Sequence, residues 1–71
     1  MFIKKNTPTK VTFDIEKRVT NPTPHYLFFS YPEGIGELCI LPRGTIIIEK
    51  NEEVIFLSDK DITLNIKNKG E

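Results

Sequence analysis

The segment from Gly44 to Ile66 contains three apolar runs separated by two short polar turns. Large apolar side chains stand at successive positions in residues 45–49 and again in 54–57, which is typical of strands shielded from water on both faces. In residues 62–66 apolar and polar side chains alternate, which predicts a strand with one buried face. Because the two turns are short, we expect these three strands to be neighbours in a β-meander.

The N-terminal half contains two further strand patterns. Alternating apolar residues predict a half-buried strand over residues 10–19. Residues 26–31, YLFFSY, hold four of the seven aromatic residues and place them on both faces, which is typical of a central strand. Residues 37–41, ELCIL, predict a short strand, and residues rich in proline or glycine before and after it predict loops.

These patterns predict an all-β fold of five to six mostly antiparallel strands, a small barrel or compact sandwich with a C-terminal β-meander. No segment has the periodicity of a helix. At 71 residues the chain is expected to be a single domain over 1–71, with residues 1–9 as an arm or short edge strand and 67–71 as a frayed tail. A core of this size only just offsets the entropy of ordering the chain, so small domains often add a disulfide, a metal or a partner.

Cys39 and His25 are the only residues of their kinds, which limits the chemistry that the chain can support. No intrachain disulfide can form, and a zinc site within one chain is excluded. We interpret Cys39, in the middle of an apolar strand, as a small buried hydrophobic residue. Its spacing from His25 does not exclude a catalytic pair, but no residue is evident that would orient His25 as a base. The GxG at 34–36 lacks the third glycine and the following helix of a dinucleotide site. We therefore expect a protein that is not an enzyme and uses no cofactor or metal.

The formal net charge is zero, so no overall field draws the chain to nucleic acid or an anionic membrane. The charges are nevertheless unevenly distributed. Residues 1–18 carry five bases against two acids, and residues 33–61 carry seven acids against three bases. This asymmetry favours two surfaces that attract each other within the fold; the alternative is an acidic face offered to a basic partner.

The sequence offers more apolar strand face than so short a chain can readily bury. A closed barrel hides about every second residue, whereas the apolar runs point both ways. Unprotected surfaces of this type invite pairing with other chains, so we expect a non-enzymatic protein-protein interaction module that acts as an adaptor, inhibitor or assembly component. Small chains of this type include viral and accessory proteins, and self-association into a homo-oligomer is a further expectation. The candidate partner-binding residues are Tyr26, Phe28, Phe29, Tyr31, Ile47 and Ile55.

Two other functions remain open. A small OB-like or SH3-like barrel with aromatic residues on a strand could bind single-stranded nucleic acid, although no lysine or arginine interrupts residues 26–31. The alternating segment 61–68, DITLNIKN, resembles strands of phage and secretion-system spike proteins, which would make the chain a structural component of such an assembly. No signal sequence or membrane-spanning run is present, so the expected location is the cytoplasm of its own cell or of a host.

Overall fold

The structure is a computed structural model that describes residues 1–34 and 36–68, and this part of the chain forms nine short β-strands and no helix. All strand pairs are antiparallel. The expected all-β, antiparallel class is thus confirmed, although the strands are shorter and more numerous than the five or six predicted. In chain order they are β1 (Phe2–Ile3), β2 (Thr9–Thr12), β3 (Lys17–Thr20), β4 (Leu27–Ser30), β5 (Leu38–Ile40), β6 (Thr45–Ile48), β7 (Glu53–Leu57), β8 (Ile62–Thr63) and β9 (Asn65–Asn68).

The larger sheet has four strands in the order β2-β7-β4-β5. The aromatic strand β4 lies between β7 and β5, so its predicted central position is confirmed. Leu27 and Phe29 of this strand are buried, whereas Phe28 and Ser30 are half-buried. Since successive side chains of a strand point to opposite faces, the sheet has an inner face against the core and an outer face that carries Phe28.

The smaller sheet has three strands in the order β6-β3-β9. Val19, in its central strand, lies opposite Ile46 on one side and Ile66 on the other. These three β-branched side chains share the inner face, where Val19 is fully buried. Strand β6 is therefore an edge strand, although its apolar run predicts a strand in the middle of a sheet.

Strands β1 and β8 form a third, two-stranded sheet, which we call the corner. Ile3 lies opposite Ile62, and both are buried. The amino group of Met1 donates a hydrogen bond to the Leu64 carbonyl (2.9 Å), and the Leu64 N–H donates to the Met1 carbonyl (2.7 Å). The N-terminal segment thus contributes a side chain to the core as well as a strand to the corner.

The core draws on side chains from all three sheets, and the described strands do not close into a barrel. Phe56 of β7 lies opposite Phe29 of β4, with ring centroids 6.4 Å apart, and Phe29 meets Tyr31 edge to face at 5.9 Å. The buried apolar residues are Ile3, Val19, Leu27, Phe29, Ile40, Ile48, Val54, Phe56, Ile62 and Leu64.

The predicted C-terminal meander is wrong. Strand β6 pairs with β3, β7 pairs with β2 and β4, and β8 and β9 pair with β1 and β3. The turn after β6 has Asn51 in a left-handed conformation (φ 61°), and the Asn51 N–H donates to the carbonyl of Phe13 (2.8 Å) rather than within a hairpin ladder. From β5 onward, consecutive strands therefore belong to different sheets.

The single strand predicted over residues 10–19 is also wrong. A bend at Asp14 and Ile15 separates β2, in the larger sheet, from β3, in the smaller one. Apolar alternation continues through the bend, although Ile15 is 45% exposed there, so the pattern alone does not reveal the change of sheet. At the other terminus, residues 67 and 68 belong to β9 instead of a frayed tail, and residues 69–71 lie outside the described residues.

Asn21, directly after β3, is fully buried and organises the connection to β4. Its amide nitrogen donates to the carbonyl of His25 (2.6 Å). Its amide oxygen accepts hydrogen bonds from the backbone N–H and the hydroxyl of Thr23 (3.1 and 2.7 Å). The Asn21 backbone N–H donates to the Gly44 carbonyl (2.9 Å), which ties this loop to the turn that follows β5.

The turn after β5 requires a residue without a side chain at Gly44. The Gly44 N–H donates to the Leu41 carbonyl (2.8 Å), and a Cβ at position 44 would stand 2.9 Å from that same oxygen. Arg43 precedes it in a left-handed conformation (φ 66°), and its guanidinium donates to the carbonyl of Pro22. This turn fixes where β5 ends and holds Arg43 beside that end.

Candidate protein-interaction surface

An apolar strip covers part of the outer face of the four-stranded sheet. Phe28 lies opposite Leu57 on one side and Cys39 on the other, and Ile55 lies next along β7, opposite Ser30. Three of these residues are only half-buried and Cys39 is exposed, although the positions between them fill the core. We call this set the outer apolar face: Phe28, Cys39, Ile55 and Leu57.

A small hollow of about 120 Å³ opens on the outer apolar face. Its walls include Phe28, Ile55 and Leu57, together with Pro8 and Glu37. Sites for small molecules usually enclose about 300 to 1,000 Å³, so this hollow suits a single side chain of another protein better than a ligand.

The outer apolar face continues to an open sheet edge. Strand β5 pairs with β4 on one side and has no strand neighbour on the other among the described residues. Leu38 is 49% exposed, and Leu41, directly after the strand, is 58% exposed. Cys39 is exposed as well, so its interpretation as a buried residue is wrong: β5 is an edge strand, and nothing in the described chain covers its outer side.

The structure separates the candidate partner-binding residues into several environments. Phe28 and Ile55 lie together on the outer apolar face, and Tyr26 stands 53% exposed just before β4. Phe29 belongs to the core, and Tyr31 is half-buried against it. Ile47 is 42% exposed, but it lies on the outer face of the other sheet.

The surroundings of Ile47 differ from the outer apolar face. Ile47 lies opposite Arg18, which in turn lies opposite Lys67 of β9. An apolar partner placed over Ile47 would therefore meet two cationic residues. The outer apolar face has no such neighbours: the only lysine or arginine on the outer face of the described strands around it is Lys10, whose ammonium forms an ion pair with Glu53 (3.2 Å).

A second groove, of about 490 Å³, is acidic and lies at the opposite end of β4 and β7. Tyr31, Glu33, Glu52 and Glu53 line it. Burial, a hydrogen bond to Glu52 and the charges of Glu52 and Glu49 raise the pKa of the Tyr31 hydroxyl above its usual value of 10.0. Two of the three lining carboxylates thus already have partners, since Glu52 accepts from Tyr31 and Glu53 binds Lys10.

No metal or catalytic constellation emerges in the described part of the chain. It holds no group of three or more His, Cys, Asp or Glu side chains that could bind a metal ion, and it contains no helix capable of crossing a membrane. His25 is exposed in the loop before β4, where its backbone carbonyl accepts from Asn21. The basic segment 1–18 and the acidic segment 33–61 contact each other through the ion pair between Lys10 and Glu53, and both of these side chains are exposed to solvent.

Leu38, Leu41 and Leu57 complete this surface but are not among the residues predicted from sequence. The apolar run of residues 38–41 gives no signal for the exposure of Leu38 and Leu41, because sheet edges usually carry charged residues or proline and such a run is more typical of a covered strand. Its edge position, however, follows from the pairing of β4 with β7, which is not local in sequence.

Comparison with protein-family profiles, with curated proteins and with solved structures gives no match for this chain.

Proposed function

We propose that this protein is a non-enzymatic protein-protein interaction module, and that its partner binds at the outer apolar face and the open edge of β5. The observation that carries the proposal is the continuity of the two features. Phe28 and Leu57 lead across the sheet to Cys39, and the exposed Leu38 and Leu41 extend the apolar surface around the edge.

The chemistry of this surface favours protein over nucleic acid as the partner. An open strand edge presents backbone N–H and C=O groups, and another extended chain is the partner that satisfies both. Apolar side chains at the edge add the burial that gives such pairing its affinity. Binding of single-stranded nucleic acid would instead require cations beside the aromatic residues, and Lys10 is paired with Glu53.

We further propose that the protein resides in the cytoplasm of its own cell or of a host. This proposal is supported by Cys39, whose thiol is free and exposed on the surface. An exposed unpaired cysteine is best preserved in a reducing compartment.

The proposal is tested by capturing partners from a lysate of the native cell with the wild-type chain and with two lysine variants. Leu41→Lys places a charge on the proposed surface at a residue that is 58% exposed, outside any strand. Ile47→Lys is the matched control on the other sheet, at a residue that is 42% exposed. Leu41→Lys should retain the wild-type melting temperature, because surface substitutions usually change stability by less than about 0.5 kcal/mol. Ile47→Lys places a further cation opposite Arg18, so its melting temperature should fall slightly while the fold is kept.

The expected result is a partner that Leu41→Lys loses and Ile47→Lys retains, with affinity for the purified partner reduced about tenfold or more by Leu41→Lys. Equal binding by both variants would contradict the proposed surface. Binding of single-stranded oligonucleotides that weakens steeply with salt would contradict the choice of partner.

A further inference from the structure

The edge of β5 lacks the features that normally keep sheet edges from pairing. Native edges are commonly protected by lysine, proline or a bulge. On the opposite edge of the same sheet, β2 carries Lys10 and follows Pro8. Strand β5 consists of Leu38, Cys39 and Ile40, without charge or proline, and has no strand on its outer side among the described residues.

We propose that the partner at this edge is a second copy of the chain, bound by antiparallel pairing of β5 with β5 about a two-fold axis that passes beside Cys39. This inference rests on the proposed function and names the partner of that same surface. The pairing would join two four-stranded sheets into a continuous sheet of eight strands.

The charges at the two ends of β5 are complementary under this symmetry. Glu37 precedes the strand, Arg43 follows it, and both are exposed. In the register centred on Cys39, Glu37 lies opposite Leu41 of the second copy, and Arg43 of that copy follows two residues later. Each end of the interface therefore carries one Glu37 and one Arg43, of opposite charge. The hydrogen bond from Arg43 to the Pro22 carbonyl holds the cation at that end of the strand. A parallel arrangement would instead place like charges side by side.

The exposed side chains at this edge add apolar contacts. With Cys39 at the centre, Cys39 of one copy lies opposite Cys39 of the other, and the exposed Leu38 and Leu41 of each copy lie beside the facing strand, whereas Ile40 stays in its own core. Since β5 has three residues, we expect a weak dimer, with a dissociation constant on the order of micromolar.

The decisive experiment exchanges the two charges. Glu37→Arg alone would face Arg43 of its second copy, and Arg43→Glu alone would face Glu37. Each single variant should therefore dimerise about tenfold or more weakly than wild type, as measured by sedimentation at low salt. In an equimolar mixture of the two variants, both end pairs become complementary, and we expect heterodimers of near wild-type stability.

Cross-linking provides an independent readout of register. Directly opposed residues of antiparallel strands have Cα atoms about 4.5 to 5.5 Å apart, within the range for a disulfide. Mild oxidation should join the chains covalently through Cys39, whereas Cys39→Ser should remain a dimer without a covalent bond, because the thiol only reports the contact.

Two outcomes would overturn the inference: a wild-type chain that remains monomeric up to about 1 mM, or single variants whose mixture does not recover the dimer. A monomer that still captures another protein, and loses it on Leu41→Lys, would overturn only the choice of a second copy. A monomer whose partner binding does not respond to Leu41→Lys would overturn the proposed function as well.

Discussion

The hydrogen bonds of Asn21 provide a quantitative test of how the fold holds its two sheets together. Asn21→Ala removes the donor to His25 and the acceptor for Thr23, at a side chain that is fully buried. Leaving buried polar groups without a partner costs about 1 to 3 kcal/mol. For a chain of this length, that loss corresponds to a melting temperature lower by roughly 4 to 24 °C.

A charged variant separates hydrogen bonding from packing. Asn21→Asp retains the size and the acceptor for Thr23, but its carboxylate would face the His25 carbonyl without a proton to donate. Burial and that carbonyl should raise the pKa of the carboxyl in the folded state above the unfolded value of about 3.9. The fold then favours the protonated form, so the stability deficit of Asn21→Asp should be smallest at low pH and grow as the pH rises through the folded pKa.

Urea unfolding of both variants between pH 4 and 8 is the assay, with Asn65→Ala as control. Asn65 is an exposed asparagine in β9, so the same substitution there should change stability by less than about 0.5 kcal/mol. A loss for Asn21→Ala no larger than that of the control would show that the buried amide does not stabilise the loop, and would refute the reasoning.

Three further predictions concern the core, the turn and alkaline pH. Phe56→Ala should lower the free energy of unfolding by about 3 to 5 kcal/mol in urea titration, because the ring is fully buried between the sheets. Gly44→Ala should cost about 1 to 3 kcal/mol by the same assay, since its Cβ would stand 2.9 Å from the Leu41 carbonyl oxygen. The pKa of Tyr31 is raised, so the fold favours the neutral phenol; that stabilisation is complete below about pH 10 and lost as the pH rises through the folded pKa. In thermal melts above pH 10, the melting temperature of the wild type should therefore fall more steeply with pH than that of Tyr31→Phe. The variant has no hydroxyl that ionises and lacks the hydrogen bond to Glu52 at every pH.

Local patterns predicted individual strands better than their partners. The aromatic run at 26–31 correctly predicts a central strand, since β4 has a strand neighbour on each side, but its outer face with Phe28 is only half-buried. The meander fails for a different reason. The turn after β6 sends the chain across the core, and pairing of β7 with β2 depends on a segment more than 40 residues earlier in sequence.

The candidate surface was predictable only in part. The sequence shows that Phe28 and Ile55 are apolar residues within two apolar runs, and in a strand each points to the face opposite its buried neighbours. Their position beside Cys39, and the exposure of Leu38 and Leu41, follow from the order of strands in the sheet. The sequence pattern cannot distinguish an edge strand with an open side from one in the interior, and for that reason Cys39 was expected to be buried.

Hydrogen exchange of individual backbone amides, measured by NMR at increasing concentrations of the chain, tests most directly whether association occurs at β5. We expect the amides of Leu38 to Ile40 to exchange more slowly as the concentration rises, by about tenfold once nine chains in ten are associated. The amides of β6, the uncharged edge of the other sheet, should not change. Association that protects β6 while leaving the exchange of β5 unaltered would contradict the account.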